Sequence, residues 1–172
     1  MKKMFILIST LFIFSCAGEK NKNGYIVSIG DLAPDFTIVE AGGNTYRLSD
    51  LRGSVVMLQF TASWCGVCRQ EMPFIEEEIW HGGKESGLKI IGIDRDEPVE
   101  TVSGFKEDMK ISYPLALDPG ADIFGLFANK EEGVTRNVII DRNGRIIYLT
   151  RLFDRKEFDG MKERIFEELD KK

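Results

Sequence analysis

Phe60-Thr-Ala-Ser-Trp64-Cys65-Gly66-Val67-Cys68-Arg69-Gln70-Glu71-Met72-Pro73 is the stretch on which the reading of this chain turns. Just before it, Val55-Val56-Met57-Leu58-Gln59-Phe60 is an almost unbroken apolar run. It is short and β-branched at its start, which suits a strand buried on both faces. After Cys65 the pattern turns helical, with Met72, Ile75 and Ile79 spaced for one face. Two cysteines therefore stand where a buried strand ends and a helix begins.

That placement bears on reactivity. A helix N-terminus offers unpaired N–H groups and a positive dipole end, and both favour a thiolate. In Cys-X-X-Cys sites the thiol pKa falls from about 8.5 to roughly 3.5–7.5. Cys65, at the exposed end, is the expected nucleophile. Cys68, nearly one turn on, points back toward the same sulfur and can close a disulfide with little backbone movement. The plainer readings are a structural disulfide or half of a zinc site. One CxxC and the single His81 fall short of the four ligands that a structural zinc site takes within one chain.

Trp-Cys-Gly-Val-Cys-Arg-x-Glu-x-Pro resembles the thioredoxin superfamily, specifically its membrane-anchored TlpA/ResA-like branch, which is related to the redoxin and AhpC/TSA sequences. Gly30-Asp-Leu-Ala-Pro34-Asp-Phe36, Ile90-Ile-Gly-Ile-Asp94 and Val138-Ile-Ile-Asp141-Arg-Asn-Gly144 resemble further segments of that family, so the likeness spans roughly residues 28–150. It implies a thiol–disulfide oxidoreductase whose only redox group is the Cys65–Cys68 disulfide, with no cofactor and no metal. It also implies a disulfide-bearing protein substrate and an upstream membrane or periplasmic thiol as electron donor. A monomer is expected.

The length of 172 residues, with 43% hydrophobic, is enough for one domain with a real core, and no repeat or low-complexity tract divides it. The first 15 residues read differently. Lys2-Lys3 and the short apolar run Met4 to Phe14 make a secretory leader, too short for a comfortable membrane span. Ile13-Phe14-Ser15-Cys16-Ala17 resembles a bacterial lipobox, so Cys16 is the expected lipid attachment point. The alternative is an ordinary cleaved leader with Cys16 incidental. The expected organisation is a leader over 1–15, a lipidated polar tether over 16–24 and one thioredoxin-like domain over 25–172. The product would be anchored in the bacterial cell envelope and exposed outside the cytoplasm, on the periplasmic side of a Gram-negative cell.

The three cysteines fit this assignment, one for lipid and two for the CxxC. Loss of Lys2 and Lys3 takes the 23 basic residues to 21 against 28 acidic ones, and the net charge from −5 to −7. That balance argues against nucleic acid as a partner.

Along the chain, Phe36–Glu40 and Thr45–Leu48 flank Gly42-Gly43-Asn44 as a hairpin. Gly82-Gly83 reads as the stop of the active-site helix, and Leu88–Ile93 as the next buried strand. Pro98 opens a helix with Val99, Val102, Phe105 and Met109 on one face. Asp118-Pro119 repeats the start signal ahead of Ile123, Phe124 and Phe127. Asn143-Gly144 is a two-residue hairpin signal, and Asp154 with Glu157 opens a last helix buried through Phe158, Met161, Ile165 and Leu169. The expected fold is α/β: a thioredoxin fold with a central mixed sheet, helices on both faces and an N-terminal hairpin. A helical insertion is expected from about Pro98 to Lys130.

Supporting residues follow from position and resemblance. Trp64 would cover one side of the leading sulfur and offer a flat apolar surface to substrate, the alternative being core packing. Gly66 and Val67 form the dipeptide between the cysteines. Glu71 matches a family acidic residue implicated in proton handling near the second cysteine, though it also suits a helix surface. Thioredoxin carries a buried Asp at the position of Gln59, and glutamine cannot take a proton.

The main departure is Gly133-Val134-Thr135-Arg136. In the family a cis-proline faces the CxxC at the place of Thr135, presenting backbone groups to the incoming chain and keeping metal from the sulfurs. A cis bond before Thr costs about 3–4 kcal/mol, against about 0.5–1 before Pro, so a trans bond is expected. Thr135 would still line the site with its hydroxyl near Cys65. Arg136 would either bring positive charge to the thiolate or sit solvated in the hairpin.

Two other functions compete. A peroxiredoxin-like thiol peroxidase is suggested by Gly30–Phe36 and the Thr-Arg turn, but Ala62 occupies the place three residues before the cysteine where peroxiredoxins carry Thr. A metal or iron–sulfur binding role would pool the CxxC thiols of two chains.

Overall fold

The computed structural model describes residues 23–171, so the expected leader 1–15, Cys16 and the tether as far as Lys22 lie outside the described residues. β1 (Thr37–Val39) and β2 (Thr45–Arg47) pair antiparallel as the expected hairpin, with Gly43 left-handed at its turn (φ 96°). β3 (Val55–Thr61) follows and runs into α1 (Gly66–Phe74), a wide π-type segment over Ile75–Trp80, and the short α2 (His81–Gly83). Then come β4 (Leu88–Arg95), α3 (Val99–Met109), β5 (Leu115–Asp118), β6 (Arg136–Ile140), β7 (Ile146–Arg151) and α4 (Arg155–Asp170).

The main sheet has the order β5-β4-β3-β6-β7. β3, β4 and β5 are parallel, while β6 runs antiparallel to β3 and β7 antiparallel to β6. All seven residues of β3 are buried, which is why its sequence shows no alternation. Each large apolar side chain so buried stabilises the fold by about 1.5–3 kcal/mol. Gly92 on β4 leaves the space that the Leu115 side chain fills, and any Cβ there would collide with it.

α1, α3 and α4 all lie on one face. Met72, Ile75 and Ile79, Val102 and Phe105, and Phe158, Met161 and Ile165 join Val55, Met57, Ile90 and Ile139 in one core. The opposite core, around Val56, Leu58, Phe60, Ile91, Val138 and Ile140, is covered by the segment Tyr25–Leu48 and by residues 121–128. Phe60 packs there against Phe124 and Phe127, with both centroid distances 5.4 Å. The mixed, doubly covered sheet is as expected, but the cover on this second face is extended chain and short 3-10 turns in place of long helix.

Several local expectations need correction. The segment 98–130 holds one helix, the edge strand β5 and two 3-10 turns at Pro119–Ala121 and Phe124–Leu126. Asp118 does cap, but it accepts from Ile123 N (2.7 Å) and Phe124 N (2.9 Å), which closes a turn and leads into no helix. Gly82 and Gly83 do not stop the active-site helix. They let it approach Phe166 and Leu88, and the chain coils on through Ser86 to a left-handed Gly87 (φ 93°). The β6–β7 connection is a three-residue loop: Asp141 N bonds Arg145 O (2.8 Å), and Gly144 alone is left-handed (φ 84°). Asp154 caps α4 by accepting from Glu157 N at 3.0 Å.

Candidate active site

β3 ends at Thr61 and delivers Cys65 to the N-cap of α1. Ser, Thr, Asp or Asn usually fill this position, and their oxygen accepts a backbone N–H. Here Cys65 Sγ does so, from Cys68 N at 3.2 Å. The loop before it is tied down on both sides. Glu97 accepts from Ser63 N (2.5 Å) and Ser63 Oγ (2.6 Å), and Arg69 Nε donates to Ser63 O (2.7 Å). Beside Glu97, at the end of β4, Asp94 is fully buried with neither oxygen hydrogen-bonded, and its carboxyl is pushed up to about 8, by burial first and then by the Glu97 charge.

Cys65 and Cys68 are joined as a disulfide with Cα atoms 5.3 Å apart. The two cysteines differ in access: Cys65 keeps 8% exposure and Cys68 none. Gly66 opens the helix between them, and Val67 packs partly against the helical core. Trp64 is 65% exposed at the rim, so it is not a core residue. Pro73, lacking an N–H, sits inside the helix just before the π-type segment, where the regular ladder is disrupted.

Thr135 reaches the pair from across the sheet. Its Oγ1 lies 3.1 Å from Cys65 Sγ and 3.3 Å from Cys68 Sγ. No cis peptide bond occurs among the described residues, so the bond before Thr135 is trans. Its carbonyl accepts from Leu152 N at 3.0 Å, which braces the loop from the end of β7.

Glu71, three residues after Cys68, is buried at 1% exposure and is no surface residue. Its Oε1 accepts from Asn137 Nδ2 at 2.8 Å. Burial pushes its carboxyl from 4.5 up to about 7, against the pull of the Asn137 and Gln59 amides. Gln59 and Asn137 are register partners on β3 and β6, so both project onto the helical face. Tyr113 Oη donates to Gln59 Oε1 (2.8 Å), and Asn137 Nδ2 also reaches Thr150 Oγ1 (2.9 Å). The sequence reading missed Asn137, Tyr113 and Glu97. Period-two alternation from Thr135 does put Asn137 on the same face as Ile139, which is the signal that was there to be used.

Arg136 corrects both of its expected placements. It is fully buried, not solvated, and it projects into the face opposite the helices. Its guanidinium donates to Asn23 O (2.6 Å) and Glu132 Oε2 (3.0 Å) and stacks over Tyr25, 4.8 Å from the ring centroid. The charge is thereby committed to holding the start of the domain. Asn23 and Gly24, expected in the tether, are already docked, since Gly24 O accepts from Asn129 N (3.1 Å). Among the described residues no three His, Cys, Asp or Glu side chains converge as metal ligands, and no helix is long and apolar enough to cross a membrane.

Residues 29–149 match the model of the AhpC/TSA family. The thiol-disulfide oxidoreductase ResA of a Bacillus cereus strain is 30% identical over 155 residues, covering 86% of this chain and 88% of its own. Among solved structures, a candidate protein disulfide isomerase from Bacteroides thetaiotaomicron superposes with TM-score 0.83 at 56% identity, covering 86% of this chain and 94% of that one. A candidate thiol:disulfide interchange protein DsbE from Chlorobium tepidum gives TM-score 0.74 at 29% identity, covering 83% and 99%. With a CxxC at the strand–helix junction of the same fold, this chain belongs to the AhpC/TSA family, in the TlpA/ResA-like branch of the thioredoxin superfamily, and is a thiol–disulfide oxidoreductase.

Proposed function

We propose that the protein reduces protein disulfides outside the cytoplasm, with Cys65 as nucleophile and Cys68 as resolving thiol. The observation that carries this reading is the asymmetry of the two cysteines. Cys65 is the one with solvent access and the Cys68 N–H at 3.2 Å, while Cys68 is sealed and shares its helix face with a buried carboxyl. Glu71, with a proton affinity near neutrality, takes the Cys68 proton before the mixed disulfide is resolved. The dithiol itself carries the electrons, without cofactor or metal, and an upstream thiol donor restores it. Trp64 gives the substrate chain an apolar landing surface. Lipid on Cys16 holds the monomer to the envelope membrane. Reduction is the favoured direction, because an oxidising compartment makes disulfides by default.

A peroxidase would place a cation beside the attacking sulfur to polarise the peroxide. The partners of Cys65 are neutral here, and Arg136 is engaged elsewhere. The test is trapping: Cys68→Ser should accumulate a mixed disulfide with insulin through Cys65, and Cys65→Ser should be inert. Reduction of insulin without any Cys65-linked intermediate would overturn the assignment. Equilibration with glutathione gives the direction, and an oxidising potential would reverse it. Fatty-acid labelling that survives Cys16→Ser would remove the anchor.

A further inference from the structure

We propose that the Thr135 hydroxyl is a catalytic hydrogen-bond donor shared by both cysteines, which follows the negative charge from one sulfur to the other during exchange. The inference rests on the thiol–disulfide chemistry above and adds a residue to it. Three observations carry it. Thr135 Oγ1 lies within hydrogen-bond distance of both sulfurs, at 3.1 and 3.3 Å. The residue is buried, and among the described residues those sulfurs are the hydroxyl's only hydrogen-bond partners. The backbone is held in place by Leu152 N on the Thr135 carbonyl, so the hydroxyl can rotate without the loop moving.

A hydroxyl carries one proton to donate and is free to turn about its Cβ–Oγ bond. In the reduced enzyme the charge sits on Cys65, where the hydroxyl joins the Cys68 N–H as a second donor. The Cys65 thiolate attacks one sulfur of a substrate disulfide R–S–S–R′. The Cys65–S–S–R bond forms and R′–S⁻ leaves with the electron pair of the broken bond. Cys65 is now neutral, and Cys68, its proton passed to Glu71, carries the charge. The hydroxyl turns to Cys68, 3.3 Å away. Cys68 then attacks Cys65 Sγ, the Cys65–Cys68 disulfide forms, and R–S⁻ leaves. Two electrons have passed to the substrate, and Thr135 has kept its own proton throughout. Neither sulfur is anionic in the disulfide, so the donor favours the reduced, thiolate-bearing side of the couple.

Hydrogen bonds to charged groups are strong enough to read as a shift in acidity. Thr135→Val replaces hydroxyl by methyl at nearly constant shape, and Thr135→Ser keeps the hydroxyl. The reduced proteins are titrated by the pH dependence of iodoacetamide alkylation at Cys65 and equilibrated with glutathione. For Thr135→Val the alkylation midpoint should rise by about one unit, an approximately tenfold loss of thiolate below the midpoint. Its equilibrium with glutathione should move about tenfold toward the disulfide. Thr135→Ser should match the parent in both. Thr135→Ala repeats the measurement should the valine variant not fold. A hydroxyl-free variant that cycles normally with the parent's midpoint and equilibrium overturns the proposal. A parent protein that does not cycle at all would instead overturn the thiol–disulfide reading beneath it.

Discussion

The Glu71 carboxylate and the Asn137 amide meet at 2.8 Å, joining the active-site helix to β6 three residues along from the sealed Cys68. The amide is itself oriented, because its second N–H is taken by Thr150 Oγ1 at 2.9 Å. Across the register pair, Gln59 has its oxygen occupied by Tyr113 Oη, and its buried nitrogen has no hydrogen-bond partner among the described residues. The buried carboxyl is thus held by one amide donor, and its second oxygen has no hydrogen-bond partner among those residues. An acid on the helix is steadied by an amide on the sheet.

This arrangement predicts a separable effect on the second half-reaction. Glu71→Gln removes the proposed base and should slow release of the product thiol from the mixed disulfide by about a hundredfold. Asn137→Ala removes a donor to the ionised carboxylate, so the pH midpoint of that step should move up by about one unit. Cys65 alkylation should keep its midpoint in both variants, because neither residue bonds that sulfur. Single-turnover kinetics from about pH 5 to 9 checks the pair. If the release step kept its pH midpoint without Glu71, some other group would be the base.

Glu71 also ties stability to pH. In the unfolded chain it ionises at its ordinary 4.5, and in the folded protein near 7. Below the lower value it is protonated in both states and costs nothing. Between the two values the unfolded state loses its proton first, so folding weakens as pH rises. Above about 7 the loss is complete, on the order of 3 kcal/mol. Asp94, raised from 3.8 to about 8, adds a loss of the same sign over a window that spans that of Glu71, so the informative quantity is a difference. In urea unfolding of the oxidised proteins, Glu71→Gln should gain on the parent by about that amount between roughly pH 4.5 and 8. A constant gap across the range would mean that the carboxyl is ionised at no cost.

β3, the turn into α1 and the CxxC were legible because their signals are local: an unalternating apolar run, a switch to helical spacing, and two sulfurs three residues apart. The partners of those sulfurs were less so. Glu71 and Asn137 are 66 residues apart in sequence, and no window of the chain shows that they meet. Arg136 misled for the same reason. An arginine opening a hairpin strand reads as a solvent residue until Tyr25, Phe124 and the Asn23 carbonyl arrive from elsewhere to cover it. Gly82-Gly83 misled for the opposite reason. Glycine ends helices, but it also permits close approach, and only packing against Phe166 and Leu88 decides between the two.

Arg136 is expected to act on stability alone. Arg136→Met keeps length and apolar bulk but loses the bonds to Asn23 O and Glu132 and the stacking on Tyr25. Glu132 is partly exposed and can rehydrate, so the cost should fall below that of a fully buried pair, at about 1–3 kcal/mol. The denaturation midpoint should drop while the Cys65 alkylation midpoint stays put. A loss of Cys65 thiolate in this variant would restore the direct electrostatic role that the geometry denies.

Trp64 should matter for large substrates and not for small ones. It stands next to the nucleophile with 65% of its surface exposed, and Leu152, 51% exposed and left-handed (φ 62°), adds a second apolar side chain by way of its bond to the Thr135 carbonyl. An incoming protein segment that covers the indole gains apolar burial worth about 1–2 kcal/mol, enough for roughly a tenfold effect on association. A small disulfide that reaches Cys65 without covering the ring gains little. Trp64→Ala should therefore lower kcat/KM for insulin about tenfold, mainly through KM, and leave the rate with a small aromatic or alkyl disulfide within about a factor of two. An equal loss on both substrates would place the indole in the chemistry of the sulfur itself; no loss on either would leave it without a part in recognition.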